Sequence, residues 1–148
     1  MGTNAIIARW LWGPHQKGLI KMIEKPQRAA ARFVTRNYDR TSSVTEMMKQ
    51  LNWPSLEQRR KEARLTLFHK AVNKEIAVTI PAYVEENRRR QRNINNIGYK
   101  HLYCNRDDYH MSFLPRTIRE WNLLPTELAE NKSPESFKKL LVKYYNNM

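Results

Sequence analysis

The stretch TSSVTEMMKQLNWPSLEQRRKEARL, residues 41–65, carries two helix-start patterns close together. Both have the form Ser-x-x-Glu/Gln, beginning at Ser43 and Ser55, and they lie on either side of the step Trp53-Pro54. In such a pattern the serine hydroxyl accepts a hydrogen bond from the third N–H of the helix, which otherwise has no partner. The stretch therefore predicts a short helix, a sharp corner, and a second, longer helix.

The charge of the chain is its most unusual bulk property. Its 148 residues include 27 Lys and Arg against 14 Asp and Glu, a formal net charge of +13. Residues 1–74 hold 15 basic and 5 acidic side chains, whereas residues 75–148 hold 12 and 9. A one-sided basic excess indicates a polyanionic partner, with nucleic acid first and an acidic membrane surface second. A soluble basic protein without such a partner is the alternative that charge alone leaves open.

Length and cysteine content indicate a single intracellular domain. The length fits one domain, and the one cysteine, Cys104, excludes an internal disulfide and suits a reducing compartment. No stretch is long and apolar enough to span a membrane, and the N-terminal AIIARWLWG is too short for a signal sequence. We expect a cytoplasmic or nuclear location.

Residues 15–36, HQKGLIKMIEKPQRAAARFVTR, predict a helix with one basic and one apolar face. Six cations fall within a sector of about 100°: Lys17, Lys21, Lys25, Arg28, Arg32 and Arg36. The other side is mostly apolar and holds Leu19, Ile20, Met22, Ile23, Gln27, Ala30, Phe33 and Val34. Pro26 removes a backbone donor from the interior, so we expect a kink or two shorter helices.

The opening stretch places the short helix at about 44–51 and the longer one at about 56–75. The expected buried stripe of the longer helix is Leu56, Ala63, Leu67, Phe68, Ala71 and Val72. Its first half carries Arg59, Arg60, Lys61 and Arg64. Cations near a helix start oppose the macrodipole, so helix stability does not explain them. We expect Arg59, Arg60 and Arg64 to join the basic face of the first helix; surface solubility is the alternative.

The rest of the chain predicts a loop-rich segment followed by two helices. Pro81, the basic run at 88–90 and the asparagines after it are typical of a loop with at most a short strand or helical turn. A run of this kind is more often a solvated loop than a nucleic-acid contact. Pro115 suits the first turn of one helix, and Ser133-Pro134 predicts the start of the last.

No combination of residues predicts catalysis, a metal site or a cofactor site. The pair Asp107-Asp108 suggests two-metal chemistry, but Asn105 stands where polymerases place an aromatic residue. A zinc site would lack a fourth soft ligand beside His101, Cys104 and His110. The four glycines do not cluster, so there is no phosphate-binding loop.

The tryptophans allow two interpretations. Trp10, Trp12, Trp53 and Trp121 are all able to stack on bases. A Trp beside Pro or Leu more often fills a core, and we favour that role for Trp53 and Trp121.

Several motifs in a fixed order carry a family resemblance. They are IEK-x-QR-x-AARFV at 23–34, RTSSVT-x-M at 40–47, WP-x-LEQRR at 53–60 and PRTIR-x-WN-x-LP at 115–125. Together with SPESFKKLL at 133–141 they resemble the region after the catalytic palm in jockey-like non-LTR retrotransposon reverse transcriptases. The resemblance covers about residues 12–143; Gly13, Pro26 and Asn52 stand where the family usually has Asp, an apolar helix former and Gly.

The resemblance implies a role in gripping nucleic acid. In the family, helices after the palm contact the primer–template backbone and the element RNA, and the polymerase aspartates lie upstream of this region. We therefore expect no enzyme activity, and a partner that is RNA, an RNA/DNA duplex or the remainder of a reverse transcriptase.

The expected fold class is mainly α, a small helical domain of about five helices with a loop-rich basic middle. Its segments are a leader outside the family pattern (1–14), a thumb-like basic module (15–78), an Arg/Asn-rich loop (79–111), and C-terminal helices that pack on the module (112–148).

The predicted function is noncatalytic binding of RNA or DNA backbone, without metal, cofactor or membrane. The alternatives are a helical protein-interaction module and an inert remnant of a truncated element. Phosphate contacts are assigned to Lys17, Lys21, Lys25, Arg28, Arg32, Arg36, Arg59, Arg60, Arg64, Arg88, Arg89 and Arg90.

Overall fold

Helices dominate the part of the chain that the structure describes. The computed structural model describes residues 16–87, 95–103 and 105–147, and seven helices lie within them. In chain order they are α1 (Lys17–Thr35), α2 (Val44–Gln50), α3 (Leu56–Val72), α4 (Asp107–His110), α5 (Phe113–Asn122), α6 (Thr126–Ala129) and α7 (Pro134–Asn146). The mainly helical fold class is confirmed, and the five longer helices are those that the sequence predicts.

Serine side chains begin three of these helices, as predicted. The hydroxyl of Ser43 accepts from the N–H of Glu46 at 3.4 Å, and that of Ser55 accepts from the N–H of Gln58 at 3.1 Å. Ser133 caps α7 in the same way. Each bond satisfies a donor that has no partner inside the helix.

The corner between α2 and α3 is a Schellman motif. Asn52 is left-handed (φ 52°) and its N–H donates to the carbonyl of Lys49 at 3.0 Å, while the N–H of Trp53 donates to the carbonyl of Met48 at 2.8 Å. The two bonds satisfy carbonyls at the end of α2 and reverse the chain direction. Asparagine tolerates this conformation better than most residues because its short polar side chain bonds locally.

Pro26 lies inside α1 without dividing it. Of the two outcomes expected for this proline, two shorter helices are therefore excluded. Helix α1 ends at Thr35, and the capping residue Arg36 is left-handed (φ 52°); its N–H donates to the carbonyl of Phe33 at 3.3 Å.

Two compact units divide the chain between Arg60 and Lys61, inside α3. The N-terminal unit contains the described residues from 16 to 60, and the C-terminal unit contains those from 61 to 147. The predicted module of residues 15–78 is thus divided. The reason is that Leu65 and Phe68 are buried in one core with residues of α5 and α7.

The N-terminal unit has a small core. It consists of Ala31, Val44, Met47 and Met48, with Leu51 and Trp53 packed against them. Ala31 is the one buried residue of α1, and its small side chain lets α1 and α2 approach closely. The half-buried Trp53 fills this core, as the sequence suggests.

The C-terminal unit has the larger core, which is built around aromatic rings. Phe68 makes edge contacts with Trp121 and Tyr99, at centroid distances of 5.2 and 5.3 Å. Phe137 lies 5.8 Å from the Trp121 ring, and Trp121 is fully buried. The predicted role of Trp121 as a core residue is therefore confirmed.

Side chains of α5 hold the adjacent loop. Asn122 accepts from the N–H of Tyr99 and donates to its carbonyl, both at 2.8 Å. The indole N–H of Trp121 donates to the carbonyl of Ile97 at 3.1 Å, and an isolated antiparallel bridge joins Glu86 to Tyr99. The Asn122 amide and the Trp121 indole thus make the hydrogen bonds to the loop backbone that a neighbouring strand makes in a sheet.

The buried stripe of α3 differs from the predicted one. Phe68 and Ala71 are buried as expected, but Ala63 is exposed. The buried residues that were not predicted are Leu65 and two polar residues: Arg64 pairs with Glu120, and His69 stacks on Phe137 and contacts the carbonyl of Asn131. Satisfied polar groups can lie in a core, which an apolar pattern cannot predict.

Candidate nucleic-acid interface

The exposed cations of α1 form a row along one side of the helix. Lys17, Lys21, Lys25 and Arg28, called the basic row below, are all exposed and recur at spacings of three and four residues, which places them on one face. Within the described residues, none of the four makes a salt bridge. Their charges therefore face solvent.

The single carboxylate of α1, that of Glu24, bonds to the start of α3. Glu24 is the only acidic residue of this helix, and its Oε1 accepts from the backbone N–H of Glu57 at 3.0 Å. That N–H belongs to the first turn of α3, where donors lack helical partners and a negative charge is favoured. Glu24 thus stabilises the start of α3 and is not paired with the basic row.

Asp39 is also engaged locally. Its carboxylate accepts from the N–H of Thr41 at 3.1 Å and from the Thr41 hydroxyl at 2.8 Å. These hydrogen bonds hold the pKa of the Asp39 carboxyl below its usual value.

Since residues 13–60 contain ten Lys and Arg but four Asp and Glu, the N-terminal unit carries a net charge of +6.

Arg32 and Arg36 extend the row toward the end of α1. The guanidinium of the half-buried Arg32 donates to the backbone carbonyl of Asp39 at 2.8 Å. One of its nitrogen donors is therefore occupied by the loop that follows α1. Arg36 is exposed in the left-handed position that ends the helix. A residue other than glycine is strained there.

The structure places Arg59 near the Gln27 side of α1. Arg59 is exposed and lines one cleft together with Gln27 of α1. Arg60 follows it and is half-buried. The start of α3 and the basic row thus belong to one unit of the fold.

The expectation for Arg64 needs correction. Its side chain is 3% exposed, and its Nη2 lies 2.9 Å from both carboxylate oxygens of Glu120. Arg64 also belongs to the C-terminal unit. It is an internal ion-pair residue, so it cannot join a surface that contacts phosphates. The predicted contacts at Arg88, Arg89 and Arg90 lie outside the described residues.

The apolar side of α1 is largely exposed, which the sequence did not predict. Phe33 is 72% and Met22 62% exposed, and Val34 and Leu19 are exposed as well. The side that packs against the rest of the unit is instead the one with Gln27 and Ala31. Helix α1 therefore has a basic face, an exposed apolar face and a packing face. The amphipathic pattern of the sequence does not distinguish the exposed apolar face from the packing face.

The described residues considered for metal chemistry do not form a cluster of three or more ligands. Asp107 and Asp108 are exposed in the short helix α4, and Asp108 pairs with Arg106 at 2.9 Å, which lowers the pKa of its carboxyl. Across the described ranges, no three His, Cys, Asp or Glu side chains are placed to hold a metal ion. Cys104 is outside those ranges. In the same part of the chain, no helix has the length and apolar character needed to cross a bilayer.

Comparisons with known proteins place the chain in no group. No family model, no curated protein and no solved structure matches it.

Proposed function

We propose that the N-terminal unit binds nucleic acid through the phosphate backbone, without catalysing a reaction. The observation that carries this proposal is the basic row, whose exposed cations have no salt-bridge partner among the described residues. The one carboxylate on the same helix is held by a backbone N–H. An unpaired, aligned set of cations is the usual electrostatic footprint of a phosphate-binding surface.

The length of the row suits several consecutive phosphates. Lys17 and Arg28 are separated by a helical rise of about 16 Å, which corresponds to roughly five phosphate spacings along one strand. Arg36 and Arg59, added to the four cations of the basic row, give a set of six exposed cations. If all six neutralise a phosphate, the slope of log K against log salt is about −5 on duplex DNA.

The resemblance suggests where such a unit originates. We propose that the chain corresponds to the region after the palm of a non-LTR retrotransposon reverse transcriptase, where it grips primer–template or element RNA. The serine-started helices and the Trp53-Pro54 corner are consistent with a helical module of this kind. The genomic sequence directly upstream tests the origin: an intact or decayed aromatic-x-Asp-Asp motif supports it, and unrelated sequence contradicts it.

Fluorescence polarisation at several salt concentrations tests the binding, with a short RNA and a duplex DNA as probes. The variant replaces Lys17, Lys21, Lys25 and Arg28 with Gln. We expect it to bind at least tenfold more weakly and to show a salt slope reduced by up to about 4.

A matched control removes the same charge from the C-terminal unit. Lys132, Lys138, Lys139 and Lys143 are also exposed, and their replacement with Gln changes the net charge by the same amount. We expect this control to keep most of the affinity. Equal losses in both variants, or no binding of the unmodified chain at low salt, contradict the proposal.

The exposed apolar face of α1 favours a second candidate, a protein-interaction module. Phe33, Met22 and Leu19 form an apolar surface beside the basic row, and such surfaces often mark protein contacts. The remainder of a reverse transcriptase is the partner that the resemblance suggests. Co-purification with that segment after nuclease treatment, lost on Phe33→Ser and Met22→Ser, supports this function. Retention in the double variant contradicts it.

A further inference from the structure

A cleft lies between α1 and the corner that joins α2 to α3. Its volume is about 320 Å³, and its lining residues are Gln27, Trp53, Pro54, Leu56 and Arg59. Ligand pockets usually measure roughly 300–1,000 Å³, so this cleft fits one flat ring system rather than a large ligand. Its lining therefore includes one aromatic residue, two apolar residues, one glutamine and one arginine.

Trp53 supplies a fixed aromatic wall. Trp53 is half-buried and packs against the core of the N-terminal unit, and it is also one of the residues that line the cleft. Its backbone is held by the bond to the Met48 carbonyl. A rigid indole is a surface on which a nucleobase stacks without loss of side-chain freedom.

Gln27, one of the residues that line the cleft, has an unsatisfied acceptor. Its Nε2 donates to the carbonyl of Pro54 at 2.9 Å, and since that carbonyl can only accept, the orientation of the amide is determined. Gln27 Oε1 is then buried, and no donor reaches it from the described residues. A buried acceptor without a donor is unfavourable, and since its exposed surface is below 1 Å², a ligand N–H satisfies it only when the adjoining cleft wall shifts slightly.

Arg59 adds a positive charge at the same place. It is exposed, and within the described residues it has no salt-bridge partner. Arg28 of the basic row follows Gln27 directly in α1. A ligand that joins a flat, N–H-bearing ring to phosphates therefore matches the aromatic wall, the acceptor and the charges together.

We infer that this cleft takes one unpaired nucleobase of a strand whose phosphates contact Arg59 and the basic row. The inference rests on the proposed function and specifies its ligand as single-stranded nucleic acid, a strand end or a bulge. In a duplex the bases are stacked and their pairing edges are occupied, whereas an unpaired base offers both its face and its edge.

Two strands of equal length and phosphate number test the inference with the intact chain. One carries bases, the other is abasic at every position, and polarisation measures both at the same salt concentrations. Since stacking of one base changes affinity by about 5- to 100-fold, we expect the base-containing strand to bind more tightly by a factor in that range, with a similar salt slope. Equal affinities overturn the cleft inference and leave phosphate binding intact. Absence of binding to either strand at low salt overturns the proposed function itself.

A pair of variants locates the effect. Gln27→Met removes the acceptor and the bond to the Pro54 carbonyl but keeps the side-chain length, and Gln50→Met makes the same substitution at an exposed position of α2 outside the cleft. We expect Gln27→Met to reduce the ratio of the two affinities several-fold and to leave the abasic affinity unchanged. Gln50→Met should alter neither. An unchanged ratio in a folded Gln27→Met variant, checked by circular dichroism, overturns the inference.

Photo-crosslinking provides a readout that needs no variant. A bromouracil-containing strand is bound to the unmodified chain, irradiated, and the adducts are mapped by mass spectrometry. An adduct on the peptide that contains Trp53 supports the inference, whereas adducts confined to other peptides contradict it.

Discussion

Arg64 and Glu120 form a buried ion pair between α3 and α5, with one guanidinium nitrogen 2.9 Å from both carboxylate oxygens. The side chains are 3% and 16% exposed, and Arg116 donates to the same carboxylate at 3.3 Å. A pair this far from solvent is costly to break, because the remaining charge stays in the interior.

Arg64→Met should therefore destabilise the C-terminal unit by about 3 kcal/mol. Urea unfolding followed by circular dichroism measures the loss. Since an apolar pair replaces a buried ion pair at little cost, the double variant Arg64→Met, Glu120→Leu should recover much of the stability. Arg59→Met is the control: its exposed side chain should change stability by less than about 0.5 kcal/mol, yet it should weaken nucleic-acid binding. A loss of binding without a loss of stability in Arg64→Met, or a loss of stability without a loss of binding in Arg59→Met, contradicts the roles given to these two arginines.

Glu24→Gln should have opposite effects on stability and on binding. The carboxylate that accepts from the N–H of Glu57 becomes a weaker, neutral acceptor, so the start of α3 should lose about 0.5–1 kcal/mol. Removal of a negative charge beside the basic row should strengthen binding to RNA or DNA. Thermal unfolding and polarisation measure the two effects. A variant that binds more weakly while still folded contradicts the electrostatic argument.

Two basic residues with left-handed backbone conformations provide a matched pair of glycine substitutions. Arg36 (φ 52°) and Lys74 (φ 58°) both follow helix ends, and glycine is more favourable in this conformation. Arg36→Gly and Lys74→Gly should each raise stability by up to about 1 kcal/mol, measured as a shift in thermal midpoint. Both remove one positive charge, but we expect weaker nucleic-acid binding only for Arg36→Gly. Equal losses of affinity would indicate a response to net charge alone.

Asn122→Leu should release the loop from α5. The change leaves the N–H and the carbonyl of Tyr99 without their partners, and each unsatisfied buried group costs about 1–3 kcal/mol. Hydrogen exchange should show faster exchange at Tyr99 and Gly98 than in the unmodified chain. Asn146→Leu, at an exposed position, is the comparison and should leave this exchange unchanged.

Alkaline pH should destabilise the C-terminal unit. Burial raises the pKa of Tyr145, and burial together with the charge of Glu86 raises that of Tyr99, above the usual value of 10.0. Both phenols stay protonated in the fold while the unfolded chain ionises, so stability is present below pH 10 and is lost as the pH rises further. Urea midpoints at increasing pH measure this loss, and Tyr145→Phe should reduce it. A midpoint that is constant through this range contradicts the prediction.

Local rules account for the helix boundaries. The serine patterns at Ser43, Ser55 and Ser133 predict helix starts because each cap depends on residues within one turn, and all three are observed. The left-handed residue at Asn52 was not predicted, although Asn before the Trp-Pro step and the family's glycine at that position were a usable signal.

The sequence by itself determined that the chain is mainly helical, where its five longer helices lie, and that α1 carries an aligned basic face, since capping and helical periodicity are local properties. Only the tertiary structure decided the remaining features. It buries Arg64 against Glu120, exposes Phe33, and forms a cleft from Gln27, Trp53 and Arg59. These depend on which helix faces meet, and residues distant in the chain settle that through packing and hydrogen bonding that no single stretch contains.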